Sequence, residues 1–286
     1  MKSIKFVLIF IGIFLVLPVF AQTFNEEEAW KPALKRFIAA VKTDDPKKIG
    51  DFISYPLDRG KYIPPVKDKS DFIARYNDIF DGKLKAAISI SDADRDSAEM
   101  WRGILFEPEG VNSTIWLDGD GNIAAMNYMS KKEMELEEKL IDQERTTVHE
   151  SLRGFKYNAT VIETGKFIIR IDYMKSSKMD GYIDYGDLRY ASWNKPMTMQ
   201  DKPNLVIKNG VIKYDGSGGN HYYVFKNGNY FYVCYINYMK EDEQSDANLY
   251  VYKTDKKINI DDFDLWDTEG RYEQILSAPA DYYKGS

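Results

Sequence analysis

Beyond an apolar start, two hydrophobic periods divide the chain. Trp30, Ala33, Leu34, Phe37, Ile38 and Val41 recur at i, i+3, i+4 spacing and predict one face of an amphipathic helix. Asn25 and Glu28 have the spacing of a capping box for that helix. Asp45-Pro46 then supplies an N-cap and a first helical position, after which Ile49, Phe52 and Ile53 face inward. An extended stretch broken by Pro64-Pro65 leads to a third helix with Phe72, Ile73, Tyr76, Ile79 and Phe80 on its apolar side. From Glu99 the period shortens to that of strands, with Asp120-Gly121 as a hairpin turn.

Residues 131–153 read as a highly charged helix whose apolar seam is thin: Met134, Leu140, Ile141 and Val148. A helix of that kind commonly bridges domains, and it is expected to do so here. Beyond Phe155 the chain alternates like seven or more short strands, and Asn209-Gly210 and Asn227-Gly228 read as hairpin turns. The expected fold class is α+β: an α+β domain over residues 22–130, a linker helix over 131–153, and an all-β sandwich or barrel over 154–286.

The N-terminus changes the picture of where the chain works. Lys2 and Lys5 precede an apolar run over residues 6–20, and small residues at Val19 and Ala21 complete the layout of a secretory signal peptide over 1–21. The competing reading is a membrane anchor, since the run is nearly long enough to span. With the signal removed, no stable membrane span is expected, and the formal charge moves from -6 to -8. An acidic chain argues against nucleic acid as a partner; a small molecule, a glycan or a basic envelope protein fits better. Cys234 is the single cysteine, so no intrachain disulfide can form in an exported setting.

Candidate chemistry is sparse. Asp92, Asp94 and Asp96 alternate as in a calcium loop, but Gly103 stands where the closing bidentate acid belongs. Asp118, Asp120 and Asn122 fail likewise, with Ile123 in place of the required glycine. His149, His221 and Cys234 do not form a zinc-spacing set, and no metal or cofactor is expected. The sequence contains no G-x-S-x-G elbow, Walker loop or dinucleotide fingerprint.

The densest chemistry lies in "YDGSGGNHYYVFKNGNYFYVCYI", Tyr214 to Ile236. A two-residue turn at Asn227-Gly228 would pair His221 with Cys234, Tyr223 with Tyr232 and Phe225 with Tyr230. His221, Tyr223, Phe225, Tyr230, Tyr232, Cys234 and Ile236 then share one face. Both faces are apolar or aromatic enough to be covered, as in a central hairpin of a core. The loop before it is expected to form, with Tyr190, Trp193, Ser217, Asn220 and His221, an exposed rim that contacts a partner.

Two resemblances add to this reading. The order of capped helix, Asp-Pro helix, "SYPL", "KYIPPVKDKSDFIARYNDIF" and strands around "WRGILF" and "IWLDGDGNIAAMNY" resembles the NTF2-like, cone-shaped α+β domains. The resemblance covers up to half of the chain and implies a curved sheet on helices, with a pocket lined by Tyr55, Tyr76, Trp101, Trp116 and Tyr128. Enzymes of that family use an Asp, His or Tyr acid–base pair in the cone; no histidine precedes His149 here. The segment "DGSGGNHYYVF" is similar to the glycine/serine loop of small barrel inhibitors of lysozyme-type enzymes, although their cysteines and Trp-Thr-Lys-Gly segment are absent. The expected function is a secreted or periplasmic, non-catalytic binding protein. The alternatives are a lyase or isomerase using the cone, and an inhibitor of a lysozyme-like envelope enzyme.

Export yields the first test. Mass spectrometry of protein recovered from the envelope or medium of an expressing bacterium is expected to show a chain starting at Gln22. An intact Met1 would refute cleavage.

Overall fold

A computed structural model describes residues 30–283, except 101–102, 175–178, 181–182, 217 and 241–243. The Asn25–Glu28 capping box and the signal region lie outside the described residues. Two compact units are present, and the fold is mixed α and β.

The first unit comprises the described residues up to Arg59, together with Pro64–Ser130. Helices α1 (Lys31–Lys42), α2 (Pro46–Ile49), α3 (Lys69–Ile79) and α4 (Gly82–Ile90) precede a four-stranded antiparallel meander. Its strands are β1 (Ser97–Met100), β2 (Gly103–Phe106), β3 (Ile115–Leu117) and β4 (Ile123–Met126), paired in chain order. Aspartates start three of the helices: Asp45, Asp68 and Asp81 accept from the amides of Lys47, Asp71 and Leu84. Each satisfies an orphan donor of a first turn. Leu34, Phe37, Phe72, Phe80, Phe106 and Ile115 meet in one core. Helix α4 escaped the sequence pattern, because "GKLKAAISI" opens with glycine and has no polar stripe.

The second unit is assembled from Gly60–Ile63 and from Lys131 onward. After α5 (Lys131–Thr146) come β5 (Tyr157–Thr164), β6 (Phe167–Tyr173), β7 (Met179–Asp180), β8 (Ile183–Asn194) and β9 (Leu205–Tyr214). The remaining strands are β10 (His221–Asn227), β11 (Tyr230–Ile236), β12 (Ala247–Lys253) and β13 (Glu273–Tyr282). Their order is β6-β5-β13-β12-β11-β10-β9-β8, and β8 pairs back onto β6. The result is a closed eight-stranded antiparallel barrel, with β7 appended to β8. Ile171, Tyr190, Phe225, Cys234 and Leu249 fill its interior.

Outside, two stretches of chain cover the wall. Ile258, Phe263 and Leu265 pack on Val224, Phe231 and Val233. Ile141, Val148, Leu152 and Phe155 pack on Ile168, Ala191 and Trp193. The segment expected to bridge domains is therefore seated on the barrel wall by a few large side chains. The hairpin β10–β11 is covered on both faces, as its pattern predicted.

Two turn expectations need correction. Asn209-Gly210 is not a hairpin turn: β9 runs straight through it, with Asn209 at φ 60 and a register shift against β8. Asparagine tolerates the left-handed region in a bulge as readily as in a turn. The second turn is displaced by one residue, since Asn227 pairs with Tyr230 and leaves Gly228-Asn229 as the loop. Gly228 takes φ 59 in the first loop position, where a type II′ hairpin requires glycine. His221 consequently lies opposite Ile236, and Cys234 opposite Tyr223.

Gly210 faces the barrel interior, where an added Cβ would sit 2.2 Å from the buried Phe225 ring. Gly210→Ala is expected to destabilise the protein by roughly 1–3 kcal/mol through overpacking. Gly165→Ala, where the Cβ meets nothing within 4 Å, serves as the control. Urea denaturation of both variants checks the difference, and equal midpoints would refute it.

Candidate binding site at the glycine-loop end of the barrel

Residues 215–220 join β9 to β10 beside the loop that leaves β11. Asp215 N–H donates to the Asn220 carbonyl at 2.8 Å, and Gly216 and Gly219 take φ 72 and 96. The loop is pressed against its neighbour: a Cβ on Gly218 would lie 2.6 Å from Met239 Sδ, and one on Gly219 would lie 2.8 Å from Tyr238 Cδ1. Glycine is needed here for close approach as well as for backbone angle. Met239 N–H donates to Asn220 Oδ1 at 2.9 Å and clips the two loops together.

Behind this clip lies a concavity of about 570 Å³. Asn220, Asn237, Gln244, Ser245 and Asn248 contribute amides and a hydroxyl to its wall. Tyr235, Tyr250 and Trp266 contribute rings, and Met239 completes it. None of these nine side chains is formally charged, in a chain where 29% of residues are. Trp266 is 69% exposed and stands edge-on to Tyr235, with ring centroids 5.9 Å apart. The Tyr235 hydroxyl donates to Asp215 Oδ2 at 2.6 Å. Burial first, and then this carboxylate, push the phenol's ionisation above its usual range, so it stays a donor. Asn237 Nδ2 donates to the Ser245 carbonyl at 2.8 Å, holding the rim between β11 and β12.

Amides that both donate and accept, set among aromatic faces, suit a neutral polyol better than an ion. The nearby nucleophile and base are poorly placed for catalysis. Cys234 is fully enclosed in the barrel, and burial pushes its thiol up. The His221 ring packs against Tyr214 and Tyr223, with Nδ1 2.8 Å from the Gly219 carbonyl. Burial lowers its pKa, which favours neutral imidazole.

The residues singled out from sequence are dispersed. Asn220 lies in the concavity wall and His221 beside its loop; Ser217 is outside the described residues. Tyr190 and Trp193 do not form an exposed rim, because both are buried on opposite faces of β8. Tyr190 packs inside the barrel on Phe225 and Tyr232, and Trp193 Nε1 donates to the Asp201 carbonyl on the outside.

In the first unit, Trp101 lies outside the described residues and Trp116 is half-buried on β3. The Tyr55, Tyr76 and Tyr128 hydroxyls donate to the Gly50 carbonyl, Asp44 and Asp81. These three partners are separate, and Tyr76 and Tyr128 are core residues that brace helix termini. Asp92 Oδ1 accepts from the amides of Asp94 and Arg95, while Asp96 pairs with Arg95. That cluster is a polar turn.

Sequence reasoning missed Tyr250 and Trp266. The available signal was a lone tryptophan in the acidic stretch "DDFDLWDTEG", where no apolar period explains it. No protein-family model matches the chain, and no significant match was found among curated proteins or solved structures.

The Tyr235–Asp215 bond generates a stability test. Tyr235→Phe keeps the ring and is expected to cost about 0.5–1.5 kcal/mol. Asp215→Asn keeps an acceptor oxygen and should cost less. Chemical denaturation that ranks the two variants the other way would refute the bond's contribution.

Proposed function

We propose that the chain is an exported, non-catalytic binding protein, secreted or periplasmic, whose barrel takes a neutral saccharide at its glycine-loop end. The wall of amides and rings, uncharged among the described residues, carries this reading. Sugar C–H faces stack on exposed aromatic rings, while hydroxyls exchange hydrogen bonds with side-chain amides. Under this proposal the first unit is an NTF2-like scaffold, a reading supported by capped helices followed by an antiparallel meander. A lyase or isomerase in that unit finds less support, because its tyrosine hydroxyls are committed to separate structural partners.

A second reading rests on Tyr238 and Met239, which are 73% and 66% exposed beside the glycine loop. A protruding apolar tip of this kind suits insertion into the cleft of a lysozyme-like envelope enzyme. The two readings differ in ligand and in the side chains that carry affinity.

Isothermal titration of the mature chain with neutral oligosaccharides of glucose and N-acetylglucosamine is expected to show saturable binding. Trp266→Ala should weaken it about tenfold or more, the range of an aromatic anchor, with an unchanged unfolding midpoint. Absence of binding by every sugar, or full affinity in the Trp266 variant, would refute the saccharide reading. Inhibition of a lysozyme that is lost in Met239→Lys and retained in Trp266→Ala would favour the second.

A further inference from the structure

A separate feature lies between α5 and the start of β5. Glu137, Ile141 and Glu144 recur at i, i+4 and i+7 and share one face of α5. Ile141 is buried against the barrel wall, so this face carries carboxylates toward the barrel. Glu144 is met there: the buried Arg170 donates from Nη1 to its Oε1 at 2.8 Å, and the Tyr62 hydroxyl donates to its Oε2 at 2.6 Å. Glu137, which is half-buried, has neither an ion pair nor a hydrogen bond among the described residues. Burial, and then the neighbouring Glu138 carboxylate, raise its pKa, as expected of a carboxylate that lacks a cation. Glu138 has Arg145 Nη1 at 3.4 Å.

Glu137 lines a concavity of about 490 Å³. That volume falls in the range of small-molecule sites, roughly 300–1,000 Å³. Every described lining residue belongs to the second unit. The register of β5 against β6 shifts between Asn158 and Thr160, which leaves Ala159 as a bulge in the wall. Lys61 is exposed, and its Nζ donates to the Asn158 and Ala159 carbonyls at 2.8 and 3.1 Å, which anchors its charge at this bulge. Lys61 and Lys156 thus bring two positive charges to a lining that also holds Glu137 and Glu138. Tyr62 and Tyr157 add half-buried rings. Both are fixed in place: Tyr157 stacks on the buried Tyr173 with centroids 4.6 Å apart, and the Tyr62 hydroxyl accepts from Asn158 N–H at 2.8 Å.

We propose that this concavity binds an aromatic α-amino acid as its zwitterion. The ammonium group pairs with Glu137, the carboxylate faces the charges of Lys61 and Lys156, and the ring rests on Tyr157. Glu137 gains the counter-charge that no side chain supplies. A ligand with a positive charge alone would face the two lysines, and one with a negative charge alone would face the two glutamates. The balanced lining therefore discriminates against both, and a zwitterion escapes either repulsion. Rings already held by their own partners keep the ordering cost of binding low.

Thermal unfolding of the whole mature chain tests this with four compounds. These are phenylalanine; phenethylamine, which lacks the carboxylate; 3-phenylpropionate, which lacks the ammonium; and glycine, which lacks the ring. A compound that binds the native state raises the midpoint as its concentration rises, and each is taken to about 10 mM. The expected result is a rise with phenylalanine, at concentrations about tenfold or more below those at which either single-charge analogue acts, and none with glycine. Glu137→Gln keeps the side-chain size and removes the charge. It should raise the phenylalanine concentration needed about tenfold or more and leave 3-phenylpropionate at least as effective as before; Glu137→Ala replaces it if that variant does not fold. No rise with phenylalanine, an equal rise with either analogue or with glycine, or an unchanged phenylalanine response in the Glu137 variant would overturn the proposal.

Discussion

The second unit depends on the pairing of β6 with β8. Seven residue pairs, from Phe167 opposite Asn194 to Tyr173 opposite Leu188, turn an open sheet into a ring. Without that ladder, both strands would present unpaired edges to solvent or to other chains. Asp172 and Arg189 stand opposite each other within the same ladder and form an ion pair on its outer side. Side chains alternate with a period of two, so a one-residue slip of β6 would turn Arg170 and Asp172 into an interior filled by Ile171, Tyr190 and Phe225. The buried charges thus penalise the wrong register. Removing either member of such a pair leaves the other uncompensated, which typically costs about 3–5 kcal/mol.

The same period of two explains how much of the barrel was legible in sequence. The β10–β11 turn was misplaced, and the observed partner of His221 is Ile236 instead of Cys234. The displacement is even, so every residue kept its face. Asn209-Gly210 misled for a different reason: its signal reports a left-handed backbone, and a bulge uses that backbone as well as a turn does. Tyr190 and Trp193 looked alike as surface aromatics, yet β8 has one face in the barrel and the other under the segment ending at Phe155. Which strand closes a ring, and what covers its outside, depends on distant segments that local pattern does not encode.

The candidate site was legible only in part, for related reasons. Its glycine loop and Asn220 stood out because unusual backbone conformations leave a compositional trace. Asn248 and Tyr250 come from β12 and Trp266 from the loop before β13, so convergence on one concavity follows from topology. The absence of charge among the described wall residues is likewise a property of the assembled surface, since acidic residues flank several of these positions along the chain. In the first unit, tyrosines that look like pocket aromatics serve as struts. Their hydroxyls find carboxylates at helix termini, and their rings complete the core.

The position of β13 has a consequence for the order in which the chain is made. It pairs with β12 on one side and with β5 on the other, joining the first and the penultimate strands of the ring. Among the strands of the ring it is also the last to be synthesised. Until Glu273–Tyr282 is available, the edges of β5 and β12 that face each other across the gap stay unpaired, however complete the rest of the barrel. The nascent chain must therefore carry two exposed sheet edges until β13 has been made, and a chain ended before it would keep them permanently.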